Sequence, residues 1–94
     1  MVDVRRSELD IIIEILKLSR NGTKKTNILY KGNLSYTQIQ NYLPFLIKKQ
    51  ILEEYLVEEK DKNYKFYKIT PKGLDLLQSA RKTLTLLKWS YFFN

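Results

Sequence analysis

The chain has 94 residues, with 17 Lys and Arg against 10 Asp and Glu for a net charge of +7, a hydrophobic fraction of 44% and a charged fraction of 29%. That length supports one core and no second, and that composition excludes an intrinsically disordered chain. Cysteine and histidine are both absent, which excludes disulfides, thiolate nucleophiles, cysteine-based zinc sites and the commonest general acid/base, so the expectation is a non-enzymatic protein with no cofactor and no metal.

The opening "MVDVRRSELD" has no apolar segment of the signal-peptide kind. The longest apolar runs, "IIIEIL" and "LTLLKWSYFF", fall short of the roughly 18 to 20 residues needed to span a bilayer. A cytoplasmic protein is expected. In chain order, Ser7 followed by Asp10 starts a first helix whose apolar positions are Leu9, Ile12, Ile13 and Leu16, and which Asn21-Gly22 ends. The run Ile11 to Ile13 is also compatible with a buried strand. Thr26 is placed to cap a short second helix through Ile28, Leu29 and Tyr30, with Gly32 and Asn33 terminating it. Ser35 caps a third helix, with Ile39, Leu43, Leu46 and Ile47 on its core face and Thr37, Gln38, Asn41, Pro44, Phe45 and Lys48 opposite. Pro44 either kinks this helix or, if Asn41 is the true cap, sits in its first turn.

The segments "QILEEYLVEE" and "NYKFYKIT", separated by "KDKN", read as a hairpin of two antiparallel strands. Thr70 caps a last helix with Pro71 at its first position and Gly73 in its first turn. Along it Leu77, Ala80, Leu84, Leu87 and Tyr91 recur at alternating steps of three and four, the spacing of a coiled-coil seam over about two heptads, while Leu76, Leu86, Trp89, Phe92 and Phe93 add apolar surface outside that stripe. A two-fold homodimer through this helix is the expectation.

Charge is unevenly placed. From Ile15 through Leu52 there is no Asp or Glu, while Lys17, Arg20, Lys24, Lys25, Lys31, Lys48 and Lys49 fall in that window, and Glu53, Glu54, Glu58, Glu59 and Asp61 follow it. An acid-free basic stretch flanking an amide- and hydroxyl-rich helix face suits contact with a polyanion, since Thr, Gln and Asn match base-edge donors and acceptors without repelling phosphate. Three helices followed by a two-stranded hairpin is the order of a winged helix-turn-helix, a mainly α fold, here in residues 6–70, with residues 71–94 as a C-terminal dimerisation element. The residues assigned to double-stranded DNA are Lys24, Lys25, Thr26, Lys31, Ser35, Tyr36, Thr37, Gln38, Gln40, Asn41, Lys48, Lys62 and Lys65. Tyr64 and Phe66, on one face of the second strand, are expected in a packed or partner-covered surface rather than stacked on bases.

The stretches "RSELDIIIEIL", "NGTKKTNILYKGNLSYTQIQNYLPFLIKKQIL" and "YKITPKGLDLL" resemble small basic archaeal winged-helix DNA-binding proteins, a chromatin-associated and regulator-like family with viral and plasmid relatives. The resemblance implies a nucleoid-associated homodimer whose C-terminal helices pair as an antiparallel coiled coil and whose winged domains bind duplex DNA. Against that pattern stand a short C-terminal helix ending in "KWSYFFN" and an acidic hairpin. These features leave two rivals: a winged helix that binds protein, and attachment to a membrane surface through "LLKWSYFF".

Overall fold

The computed structural model describes residues 8–93, with the side chains at 84 and 87–93 excepted. Its elements are α1 (Glu8–Leu18), β1 (Thr23–Lys24), α2 (Lys25–Lys31), α3 (Tyr36–Lys48), β2 (Leu52–Glu59), β3 (Lys62–Ile69) and α4 (Pro71–Phe93). The three strands form one antiparallel sheet in the order β1-β3-β2. Ser7, the expected cap of α1, lies outside the described residues.

The isoleucine run is helical. Ile11, Ile13, Ile15 and Leu16 of α1 are buried, whereas Leu9, expected on the core face, is 41% exposed. Neighbours on two sides explain the broad buried arc, because α1 packs against both α2 and α4. Where α1 ends, Ser19 is fully buried: its hydroxyl donates to the Ile15 carbonyl at 2.6 Å, and its own carbonyl accepts from Gly22 N–H at 3.2 Å and from Ile69 N–H at 3.0 Å. All three bonds satisfy groups that would be costly to bury unpaired.

Strand β1 was not legible in the sequence, and it corrects the expected start of α2. Thr23 pairs with Tyr67 and Lys24 with Phe66, so Lys24 is held extended (φ −76°, ψ 154°) and becomes the N-cap residue without a side-chain cap. Thr26 is therefore inside the first turn and does not cap. The end of α2 is local chemistry. Asn33 takes the left-handed conformation (φ 52°), Leu34 N–H donates to Leu29 O at 3.0 Å and Asn33 N–H to Tyr30 O at 3.3 Å, the pair of bonds that closes a helix in a Schellman turn.

Two residues later α3 begins with a full capping box. Ser35 Oγ accepts from Gln38 N–H at 3.1 Å and Gln38 Oε1 accepts from Ser35 N–H at 2.9 Å. Ser35, not Asn41, is thus the cap. The helix runs on to Lys48 with Pro44 inside it, forgoing the bond to the Gln40 carbonyl, and Leu43 and Leu46 on either side are buried. A second left-handed residue, Gln50 (φ 61°), ends α3, with Ile51 N–H on Leu46 O at 2.9 Å.

The hairpin turn is tighter than "KDKN" suggested. Glu59 pairs directly with Lys62, leaving Lys60 and Asp61 as a two-residue turn with φ of 49° and 64°, the type I′ geometry that matches strand twist. Helix α4 starts as expected, with Thr70 Oγ1 accepting from Gly73 N–H at 3.0 Å and Pro71 first. The core joins Ile15, Leu16, Ile28, Ile39, Leu46, Leu52 and Ile69 with Leu77 and Ala80 of α4. Each fully buried Ile or Leu contributes about 1.5 to 3 kcal/mol. This burial corrects the expected dimer seam: Leu77 and Ala80 lie in the monomer's own core, because the first half of α4 is covered by α1. The side chains of Leu84, Leu87 and Tyr91 lie outside the described residues. No described helix is long and apolar enough to cross a membrane.

Candidate nucleic-acid interface

The core stripe Ile39, Leu43 and Leu46 faces inward, and Tyr36 and Gln40 beside it and Thr37 and Asn41 opposite it are exposed. Gln38, assigned to the same face, is half-buried and its amide oxygen is spent in the capping box, as is the Ser35 hydroxyl. Those two residues orient the helix; Tyr36, Thr37, Gln40 and Asn41 are what it presents.

Between α3 and the hairpin lies a trough. One part of it, about 380 Å³, is lined by Lys24, Lys25, Thr26, Tyr64, Lys65 and Tyr67. The adjoining part, about 200 Å³, shares Lys25, Lys65 and Tyr67 and adds Gln40, Pro44 and Glu54. The fold thus gathers Lys24, Lys25, Thr26, Gln40 and Lys65 from α2, α3, β1 and β3 into one concave surface. Lys25 Nζ also sits 5.3 Å from the Tyr36 ring, close enough for a cation–π contact.

The remaining assigned residues are not in this trough. Lys31 and Lys48 are exposed at the C-terminal ends of α2 and α3, and Lys62 is exposed beside the hairpin turn. Asn41 lines a separate cleft of about 310 Å³ with Glu8, Ile12, Tyr42 and Phe45, on the α1 side of α3.

Two features of the trough escaped sequence reasoning. The first is the state of Lys24, whose Nζ lies 3.1 Å from Glu59 Oε2 and 4.1 Å from the Tyr64 ring centroid; it is engaged by the hairpin rather than presented freely. The second is Tyr67, which is buried and stands opposite Glu54 in the sheet. Burial first, then the neighbouring Glu54 carboxylate, push the Tyr67 phenol up to about 12 from its ordinary 10. Glu54 in turn lies 3.9 Å from Lys65 Nζ. Cross-strand pairing decides both arrangements, Lys24 opposite Phe66 and Glu54 opposite Tyr67, and only the hydrophobic alternation of the strands hinted at it.

Comparison with other proteins agrees with this geometry. The family model described as winged helix-turn-helix matches residues 5–88. An archaeal protein of Methanocaldococcus jannaschii, MJ0290, is 33% identical over 85 residues, which are 89% of this chain and 36% of that protein, so the chain spans about a third of that relative's length. Among solved structures, Sso10a-2, a DNA-binding protein from Sulfolobus solfataricus, superposes with a TM-score of 0.77 at 27% identity over 92% of this chain and 86% of that one. A PadR family transcription regulator from Clostridium difficile has the same fold, with a TM-score of 0.79 at 17% identity over 89% of this chain and 98% of that one. A model match across this much of the chain, joined to the three helices, the hairpin and the short β1 that completes its sheet, leads to one assignment: the chain belongs to the winged helix-turn-helix family.

Proposed function

We propose that the chain binds duplex DNA as a transcription regulator or architectural protein, with α3 in the major groove, the hairpin as wing, and a homodimer formed through the outer half of α4. The observation that carries this reading is the set of exposed side chains on α3, Tyr36, Thr37, Gln40 and Asn41, of which Gln40 shares the trough with Lys25 and Lys65; α3 and Lys25 belong to a stretch of chain that has no acid from residue 15 to residue 52. An exposed polar helix face flanked by lysines supplies both parts of duplex recognition: side chains for base edges, and cations that release counterions from phosphates. The likeness to Sso10a-2, a DNA-binding protein, supports the same reading.

The dimer is favoured by α4 itself. Its 23 residues rise about 35 Å. The buried positions described on it end at Ala80, and beyond that Leu86 is 60% exposed. An apolar side chain so placed on a projecting helix is suited to a partner helix.

Titration of a fluorescent duplex across a series of salt concentrations tests the proposal. A dimer neutralising about eight phosphates gives a log–log slope of about −7. A flat response, or retention no different from that of an acidic protein, overturns it.

A further inference from the structure

The wing is acidic where phosphate contact would favour cations, with Glu53, Glu54, Glu58, Glu59 and Asp61 along β2 and its turn. Counting charges makes each of them a liability. The placement of Lys24 makes one of them different.

Strand β1 is two residues long and pairs with β3 only at Tyr67 and Phe66. Outward from there, residues 62–65 of β3 and their partners on β2 form a bare two-stranded ribbon, a structure that is marginal by itself. Lys24, at the end of β1, reaches along this ribbon. Its ammonium lies 5.9 Å from the Phe66 ring centroid, 4.1 Å from that of Tyr64, and 3.1 Å from the carboxylate of Glu59, the last residue before the turn. Among the described residues this is the ion pair that joins the hairpin to another element; Lys65 with Glu54 lies within the hairpin and Lys17 with Glu14 within α1. Both partners are partly covered, Lys24 at 33% and Glu59 at 46% side-chain exposure, and the aromatic ring beneath the ammonium excludes water from one side of it.

Resting on the DNA-binding reading above, we propose that Lys24 and Glu59 form a latch that holds the wing at a fixed angle to α3, so that Lys24 is a positioning residue and Glu59, although acidic, strengthens DNA binding. Glu58, one residue away, pairs with Asn63 across the ribbon and has no ion-pair partner among the described residues. It is the natural control, since loss of its charge can only relieve repulsion of phosphate.

The experiment compares the full chain with Glu59→Gln, Glu58→Gln, Lys24→Met and the Lys24→Met/Glu59→Gln double variant, in duplex affinity and in salt slope. The latch predicts that Glu59→Gln weakens binding about two- to fivefold, the range expected when a surface ion pair is lost while the cation–π contact of Lys24 with Tyr64 remains. It predicts that Glu58→Gln binds equally or more tightly, that the double variant is no weaker than Lys24→Met alone, and that the slope is unchanged throughout. Tighter binding by Glu59→Gln, or a slope reduced by about 0.9 per subunit in Lys24→Met, as loss of a direct phosphate contact requires, overturns it. Hydrogen exchange at the Lys62 and Tyr64 amides separates failure of the latch from failure of the DNA reading. Faster exchange in Lys24→Met with an unchanged melting temperature supports the latch even if the wild-type chain binds no duplex, and unchanged exchange overturns it.

Discussion

Tyr67 stands directly opposite Glu54 across β2 and β3, and both line the trough between the wing and α3. Because the neutral phenol is favoured in the folded chain, its contribution is whole below pH 10 and is lost as the pH rises through about 12. A separation of that size is worth on the order of 2 to 3 kcal/mol. Urea denaturation of wild type and Tyr67→Phe at pH 7 and at steps from pH 9.5 to 11 checks this. The variant is expected to show a shallower alkaline loss, because it has no phenol to ionise in a buried position.

The capping box makes Ser35 a structural residue before it is anything else. Ser35→Ala removes the acceptor for Gln38 N–H and is expected to cost about 1 kcal/mol in equilibrium denaturation. Ser35→Gly should cost only a few tenths.

At Gly73, α4 passes close to the chain leaving α3. A methyl group there would run into the Ile51 carbonyl oxygen and lie 2.7 Å from Ile69 Cγ1. The greater helix propensity of alanine is therefore outweighed, and Gly73→Ala is expected to destabilise the protein by about 1 to 3 kcal/mol. A rise in melting temperature would show that the turn after Ile51 relaxes freely.

On DNA, cations and amides should separate by type of effect. Lys25→Gln and Lys65→Gln should weaken every duplex alike and lower the salt slope by about 0.9 per subunit. Gln40→Ala should cost about 1 to 3 kcal/mol on preferred sequences and little on others. A panel of duplexes at two salt concentrations distinguishes the two patterns.

Two leucines on α4 should fail in different ways. Leu77 is 2% exposed in the core, so Leu77→Ala is expected to cost about 2 to 5 kcal/mol of folding stability. Leu86 is 60% exposed, so Leu86→Glu should leave the fold intact and shift sedimentation from dimer to monomer. An unchanged sedimentation coefficient in Leu86→Glu would exclude this part of α4 from the interface.

Nearest-neighbour chemistry was enough to locate the helix that carries the candidate interface. Ser35 with the amphipathic run behind it determined α3 and its exposed amides, Gly32-Asn33 the turn before it, and Thr70-Pro71 the start of α4, because caps and periodicity act within a few residues. Pairing between residues far apart in the chain decided the rest. Thr23-Lys24 is a strand only because β3 offers it an edge, Thr26 loses its capping role in consequence, and Leu77 and Ala80 belong to the monomer because α1 covers them. The charge on Lys24 is visible in the sequence, but its commitment to Glu59, 35 residues away, depends on the register of three strands, which no local pattern encodes.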